Sequence, residues 1–366
     1  MIKFSIVLIS YLILEAGCWL TIHFGFINAK EPTFDFVFKN PQYPAPVADI
    51  NPVWGVWHYK EHYQSQNGCV YFNYFINSYG ARDKERTKLT NDTNRVIVLG
   101  DSFMEGFGVN VEDRVSDILE RRTGRAFLNF SCADFGTTQE YLVYKYLADS
   151  FSHSTIFIGF LPFNDFENDD LLLAKSDDER YRPYYVKKDS GYQLLYHQDS
   201  LGKSTFNKEH YKVYSNSLPN ILTRFLRAYT YWFNIVDFIK NSKEQYRKRY
   251  TKDGRLLSYY YDFNAEQIDR LSFLLGKFRN LARNKRIIFC SIPVISDFKR
   301  HLTEKGIPPL SIKLKQICDS LKIEYVDLMS MFPQNRENRD FFLPCDQHWN
   351  KRGNIYCANI LEPLFK

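Results

Sequence analysis

The sequence contains no Cys-x-x-Cys pair and no Cys/His grouping at zinc spacing, so its seven cysteines promise neither a structural metal nor a disulfide scaffold. Cys18, Cys69, Cys132, Cys290, Cys318, Cys345 and Cys357 read instead as small buried hydrophobes, and no cofactor is expected. A charge of one sign is also missing: 48 Lys+Arg against 42 Asp+Glu leave a net +6, too diffuse for nucleic-acid binding. With 45% hydrophobic and 25% charged residues, disorder, collagen and a multi-span membrane protein are excluded. What is plentiful is aromatic, 17% of the chain. At 366 residues there is room for one large α/β domain with an appendage, or for two small domains.

One long apolar run stands near the N-terminus, from Phe4 to Phe26, interrupted by Glu15, Thr21 and His23. About 20 such residues in a helix cross a bilayer core. The run continues through Trp19, Leu20, Phe24 and Phe26, which favours an uncleaved anchor over a cleaved signal peptide. Ala16-Gly17-Cys18 hints at lipoprotein processing, but Glu15 stands where an apolar residue is expected. The remaining alternative is a buried helix of a soluble protein. Residues 1–29 are therefore read as a transmembrane anchor or signal segment, with the rest of the chain outside the cytoplasm, membrane-anchored or secreted.

Residues 30–92, rich in Pro, Asn and Tyr, read as strands and turns of an extension packed on the main domain. From residue 93 to 366 short apolar runs alternate with helical spacing. The runs are Arg95–Leu99, Ala126–Phe130, Thr155–Leu161, Arg286–Pro293 and Ile323–Leu328; the helices are Asp113–Arg122, Gln139–Leu147, Ala265–Leu281 and Leu310–Leu321. That rhythm predicts a parallel sheet covered on both faces. It breaks over about 169–255, read as an inserted subdomain with one amphipathic helix at Ile221–Ile239 and a basic turn region at Lys240–Arg255.

Gly100-Asp101-Ser102-Phe103 follows the first strand of that rhythm, which puts Ser102 at a strand's C-terminal end, where open α/β sheets place their ligands. A serine hydroxyl needs a base to act as a nucleophile at neutral pH. Asp346-Gln347-His348 supplies one: residues two apart in an extended loop face one way, so Asp346 can orient His348 toward Ser102. Donors for an oxyanion come from Asn164, after the strand ending near Leu161, and from a backbone N–H near Asp134 and Gly136. Taken alone, Ser102 also reads as an ordinary N-cap and Asp101 as a structural loop residue. Trp54, Trp57, His58 and His62 invite a carbohydrate-platform reading, with aromatic packing beneath the sheet the stronger one.

The four blocks Gly100–Ser102, Asn129–Gly136, Asn164-Asp165 and Asp346–His348, in this order, resemble those of the SGNH (GDSL-type) hydrolase superfamily. Asn77-Ser78-Tyr79-Gly80-Ala81-Arg82 with the apolar N-terminal run looks like its membrane-anchored bacterial members. The resemblance implies a flavodoxin-like three-layer α/β/α sandwich, with Ser102 as nucleophile, His348 as base and Asp346 as its partner. It implies an oxyanion hole of the Ser102 N–H, Asn164 and one second-block N–H, from Asp134 or Gly136. Three departures stand out: Asp-x-His replaces Asp-x-x-His, Pro162 stands where Gly is common, and Asp134 occupies the usual oxyanion glycine. The expected function is a serine esterase acting on acyl esters, foremost O-acetyl, of a glycan or lipid. The alternatives are an O-acyltransferase using the same acyl-serine and a non-catalytic binding protein of this fold.

Overall fold

The computed structural model describes residues 2–24, 26–27, 29, 31–32, 34, 50–57, 63–67, 70–174, 182–189, 191–196, 218–304, 306–334, 336–343 and 347–366. The chain divides into two compact units, one of residues 1–46 and 212–255 and the other of 47–211 and 256–366.

In the larger unit the strands, in chain order, are β1 (Ile50–Asn51), β2 (Gly55–Val56), β3 (Tyr63–Asn67), β4 (Val70–Tyr74), β5 (Val96–Gly100), β6 (Phe127–Asn129), β7 (Thr155–Phe160), β8 (Pro183–Lys188), β9 (Gly191–Tyr196), β10 (Arg286–Ser291) and β11 (Glu324–Asp327). Five of them make one parallel sheet in the order β11-β10-β7-β5-β6. Val96, Ile97, Val98 and Leu99 of β5 and Ile156, Phe157 and Ile158 of β7 are wholly buried, as both faces of a parallel sheet require. Helix Val115–Thr123 packs with Lys351–Leu361, while Ala265–Leu281 packs with Thr137–Tyr146 and Pro309–Leu321. With right-handed crossovers these two sets cover opposite faces, giving three layers.

The strand order places the site. From β5 the chain moves to β6 on one side, then crosses back to β7 on the other, so the crevice between the ends of β5 and β7 is the topological switch point. The remaining strands pair as the antiparallel hairpins β1–β2, β3–β4 and β8–β9. Trp54 and Trp57 are buried, the Trp57 indole stacking on Phe135 at 5.7 Å and donating to the Tyr79 carbonyl at 3.0 Å. They pack, and do not form an open platform; His58 and His62 lie outside the described residues.

In the smaller unit the expected single helix over 221–239 is two, Leu218–Tyr229 and Tyr231–Arg249, and the basic stretch expected as a turn is helical as far as Arg249. Thr230 makes the break: its hydroxyl donates to the Leu226 carbonyl at 2.7 Å. The Asn234 amide donates to the carbonyls of Arg227 and Thr230 at 2.9 and 3.0 Å, satisfying the end of the first helix. Beyond it, Lys, Glu, Gln and Arg are good helix formers, so charge does not prevent the second helix from continuing.

Buried Asp297 accepts from the Ser258 hydroxyl at 2.6 Å and from the Val294 N–H at 2.8 Å, and burial pushes its carboxyl up to about 7. A carboxyl raised above its unfolded value stabilises the fold in full below about pH 4, and that stabilisation is lost as pH rises through about 7. Against Asp297→Asn, the wild-type protein is expected to lose roughly 4 kcal/mol of relative stability between pH 4 and 8. Urea unfolding midpoints of both proteins across that range measure it; a pH-independent difference contradicts it.

Candidate active site

β5 ends at Gly100, where a Cβ would meet Met104 Cγ at 2.6 Å and the Gly159 carbonyl at 3.0 Å, so only glycine fits. The chain then turns into the short helix Ser102–Glu105, whose N-cap is Asp101, not Ser102: the Asp101 carboxylate accepts the Phe103 N–H at 3.0 Å. Ser102 is thereby released from capping, and its Oγ lies 2.7 Å from His348 Nε2.

His348 comes from the C-terminal loop, which is pinned on both sides. The Leu343 N–H donates to the His348 carbonyl at 2.7 Å, the Gln347 N–H to the Leu343 carbonyl at 3.0 Å, and Phe342 bridges Trp349. Gln347 is left-handed at φ 66°, the turn that presents the histidine. The imidazole sits against two phenylalanine rings, Phe103 at 5.0 Å and Phe107 at 4.7 Å. Buried Trp349 anchors the loop, edge-on to Phe103 at 5.0 Å. Asp346 lies outside the described residues.

Across the switch point, Asn164 sits in helix Pro162–Asn168 and its amide donates to Asp101 Oδ2 at 3.1 Å. Asp101 thus ties the nucleophile's helix to the asparagine, and a carboxamide nitrogen keeps a second N–H for another acceptor. Burial pushes Asp101 up to about 6, opposed by the Phe103 N–H, the charge of His348 and the Asn164 amide, and reinforced by Asp134.

The segment after β6 runs beside Gly100, with the Cys132 N–H donating to the Gly100 carbonyl at 3.1 Å. The next N–H, that of Ala133, is taken by Glu105 Oε2 at 2.6 Å. Asp134 then adopts a left-handed conformation, φ 61°, with its side chain exposed and its carbonyl accepting from Arg182 at 3.2 Å. It makes the turn that a glycine would make more easily. Gly136 has an ordinary φ of −105° as N-cap of helix Thr137–Tyr146, and is glycine because a Cβ there would meet Asp169 Oδ1 at 2.8 Å.

Two features have roles that sequence reasoning does not assign. Arg82, wholly buried, donates to the carbonyls of Gly106 at 2.7 Å, Val109 at 2.6 Å, Glu105 at 3.1 Å and Asn73 at 3.2 Å. It holds the loop behind Ser102, the loop that carries Phe107, to hairpin β3–β4. Asn77 wraps the preceding turn, its Oδ1 accepting the N–H groups of Tyr79 and Ala81 at 3.0 Å each. Second, Glu140, Asp165 and Asp169 are buried around Asp101; burial first, then their mutual charge, raises Glu140 and Asp165. Among the described residues no group of three or more His, Cys, Asp or Glu is arranged to hold a metal ion.

No family model matches the sequence, and no curated protein matches it. Solved structures similar to it include a carbohydrate esterase family 2 enzyme of Corynascus thermopiles, with TM-score 0.41, 10% identity and coverage of 76% of this chain and 68% of that one. Others are a lipase/acylhydrolase of Enterococcus faecalis, TM-score 0.37, 10% identity, coverage 74% and 97%, and a phospholipase A1 of Streptomyces albidoflavus, TM-score 0.39, 11% identity, coverage 74% and 98%.

Proposed function

We propose that the chain is a serine esterase of SGNH type. The observation that carries this reading is the 2.7 Å contact between Ser102 Oγ and His348 Nε2 at the switch point of a parallel sheet. In the proposed reaction Ser102 Oγ attacks the ester carbonyl as its proton passes to His348 Nε2, and the carbonyl π electrons move to oxygen. The oxyanion is received by the Ser102 N–H, the second N–H of the Asn164 amide, and one N–H of the Asp134–Gly136 turn. Collapse breaks the ester C–O bond, His348 protonates the departing alcohol, and water, deprotonated by His348, releases the acid from Ser102. Asp346 is assigned the role of orienting His348.

The substrate proposed is an acyl ester, foremost O-acetyl, of a glycan or lipid. The chain is assigned to the extracytoplasmic side of a membrane, held by the N-terminal helix, which is apolar enough for a span or a signal sequence. A serine-reactive phosphonate should label Ser102, located by peptide mass spectrometry, and label neither Ser102→Ala nor heat-unfolded protein; labelling elsewhere, or none, contradicts the reading. Asn164→Ala is expected to lower kcat about 10²- to 10³-fold with little change in KM. Steady-state hydrolysis of p-nitrophenyl acetate reads both constants, and an unchanged kcat removes Asn164 from the oxyanion hole.

A further inference from the structure

The N-terminal helix Ile2–His23 contains a 19-residue segment, Ser5–His23, apolar enough to cross a bilayer, with one acidic residue inside it, Glu15. A carboxylate in hydrocarbon is costly unless its oxygens are satisfied. Here Glu15 Oε2 accepts the N–H of Tyr231 at 2.7 Å. Tyr231 is the first residue of helix Tyr231–Arg249, where backbone N–H groups lack intrahelical partners and the helix dipole is positive. Glu15 is therefore the docking point between the apolar helix and the helical pair 218–249, and the helix Ile2–His23 packs along Tyr231–Arg249 beyond that bond.

The corner of the pair is well defined. Ala228, Thr230 and Asn234 are buried, and Phe34 donates its N–H to the Ala228 carbonyl at 2.9 Å while its ring lies 6.2 Å from those of Tyr229 and Tyr231. Arg227 and Asp237 pair across the two helices at 3.0 Å, neutralising each other. On helix Leu218–Tyr229 the apolar side chains of Leu222, Phe225 and Tyr229, spaced three and four apart, form one exposed stripe, and Ile239 of the next helix is exposed as well. From Lys240 to Arg249 the sequence then carries five cationic residues against the single Glu244. An apolar stripe, aromatic residues at a corner, and a cationic run next to an apolar helix are the composition of an element in contact with a membrane.

We propose that the helical pair 218–249 is a second membrane-contacting element, docked on the N-terminal helix through Glu15, whose apolar residues meet the bilayer and whose basic end, 240–249, binds anionic lipid headgroups. The occupant of the apolar stripe is the bilayer: the stripe's helix packs on Tyr231–Arg249, which in turn packs on the apolar N-terminal helix, and the basic run is complementary to anionic lipid.

The tryptophans make this measurable on the full-length protein. Trp54, Trp57 and Trp349 are buried in the other unit, leaving Trp19 of the N-terminal helix and Trp232 of the pair within reach of lipid. Full-length Trp19→Phe protein is bound to phosphatidylcholine vesicles, with and without phosphatidylglycerol, whose acyl chains are brominated. The expected result is Trp232 fluorescence quenched, more strongly with phosphatidylglycerol, and the quenching lost in the Trp19→Phe/Trp232→Phe protein. Glu15→Leu in the Trp19→Phe background should undock the pair and remove the quenching, while p-nitrophenyl acetate hydrolysis is retained as proof of folding. No quenching of Trp232 while Trp19 of the parent protein is quenched means that the N-terminal helix alone meets the membrane, and overturns the proposal. Equal quenching with and without phosphatidylglycerol overturns the headgroup recognition, and unchanged quenching in Glu15→Leu overturns the docking role.

Discussion

Ser102→Ala is expected to lower kcat/KM for p-nitrophenyl acetate by about 10⁴-fold or more, a loss of at least about 5.5 kcal/mol of transition-state stabilisation. The variant removes the oxygen that forms the covalent bond and leaves the Asp101 cap, which builds the turn, in place. His348→Ala should fall by a similar factor, because without the base 2.7 Å away Ser102 keeps its proton. The two residues act as a unit, so the double variant should be no worse than either single one. Multiplicative losses would show that Ser102 and His348 act independently and would contradict the pair. Retained hydrolysis in Ser102→Ala would place the nucleophile elsewhere.

The second large effect concerns Arg82, far from Ser102 in sequence and one loop away in the fold. Arg82→Ala strips donors from the carbonyls of Asn73, Glu105, Gly106 and Val109. The Gly106 carbonyl keeps the Val109 N–H at 3.3 Å and the Glu105 carbonyl keeps Arg114 at 3.5 Å, so the loss falls on Asn73 and Val109; at about 1–3 kcal/mol for each unmet acceptor, a loss of about 2–5 kcal/mol in unfolding free energy is expected. Arg82→Lys should recover only part of this, since an ammonium group cannot reproduce the planar fork that serves two pairs of carbonyls. Turnover per folded molecule should also drop in Arg82→Lys, because the loop it holds carries Phe107 against His348. Urea unfolding and kcat on the same preparations separate the two effects. A stability change under about 1 kcal/mol in Arg82→Ala would mean the carbonyl contacts are not formed in solution.

How much of this was legible in the sequence depends on the range of the interaction. The five sheet strands were readable because both faces are buried and the runs are continuously apolar; their observed ends differ from the expected ones by a residue or two at most termini. The meeting of Ser102 with His348, and of Asn164 with Asp101 beside it, was readable because each lies just after a strand or in the C-terminal loop, at one edge of the sheet. Arg82 was legible only as the end of the Asn77–Arg82 block and not in what it holds, because its partners are carbonyls, and a carbonyl leaves no mark on residue identity. Phe103 and Phe107 were hidden by the abundance of phenylalanine, 31 in the chain. The break at Thr230 depends on side-chain bonds from Thr230 and Asn234 to the turn before them, which apolar periodicity does not register. At Asp134, where the resemblance leads one to expect glycine, the residue is exposed and adopts a left-handed conformation, φ 61°.

The most direct test of the central claim is to trap the acyl-enzyme. Full-length protein mixed with p-nitrophenyl acetate and quenched in acid within the first turnovers should carry one acetyl group, found by peptide mass spectrometry on Ser102 and absent from Ser102→Ala. An acetyl group on another residue, or hydrolysis that proceeds with Ser102 unmodified under conditions where deacylation is blocked, would contradict a mechanism through Ser102.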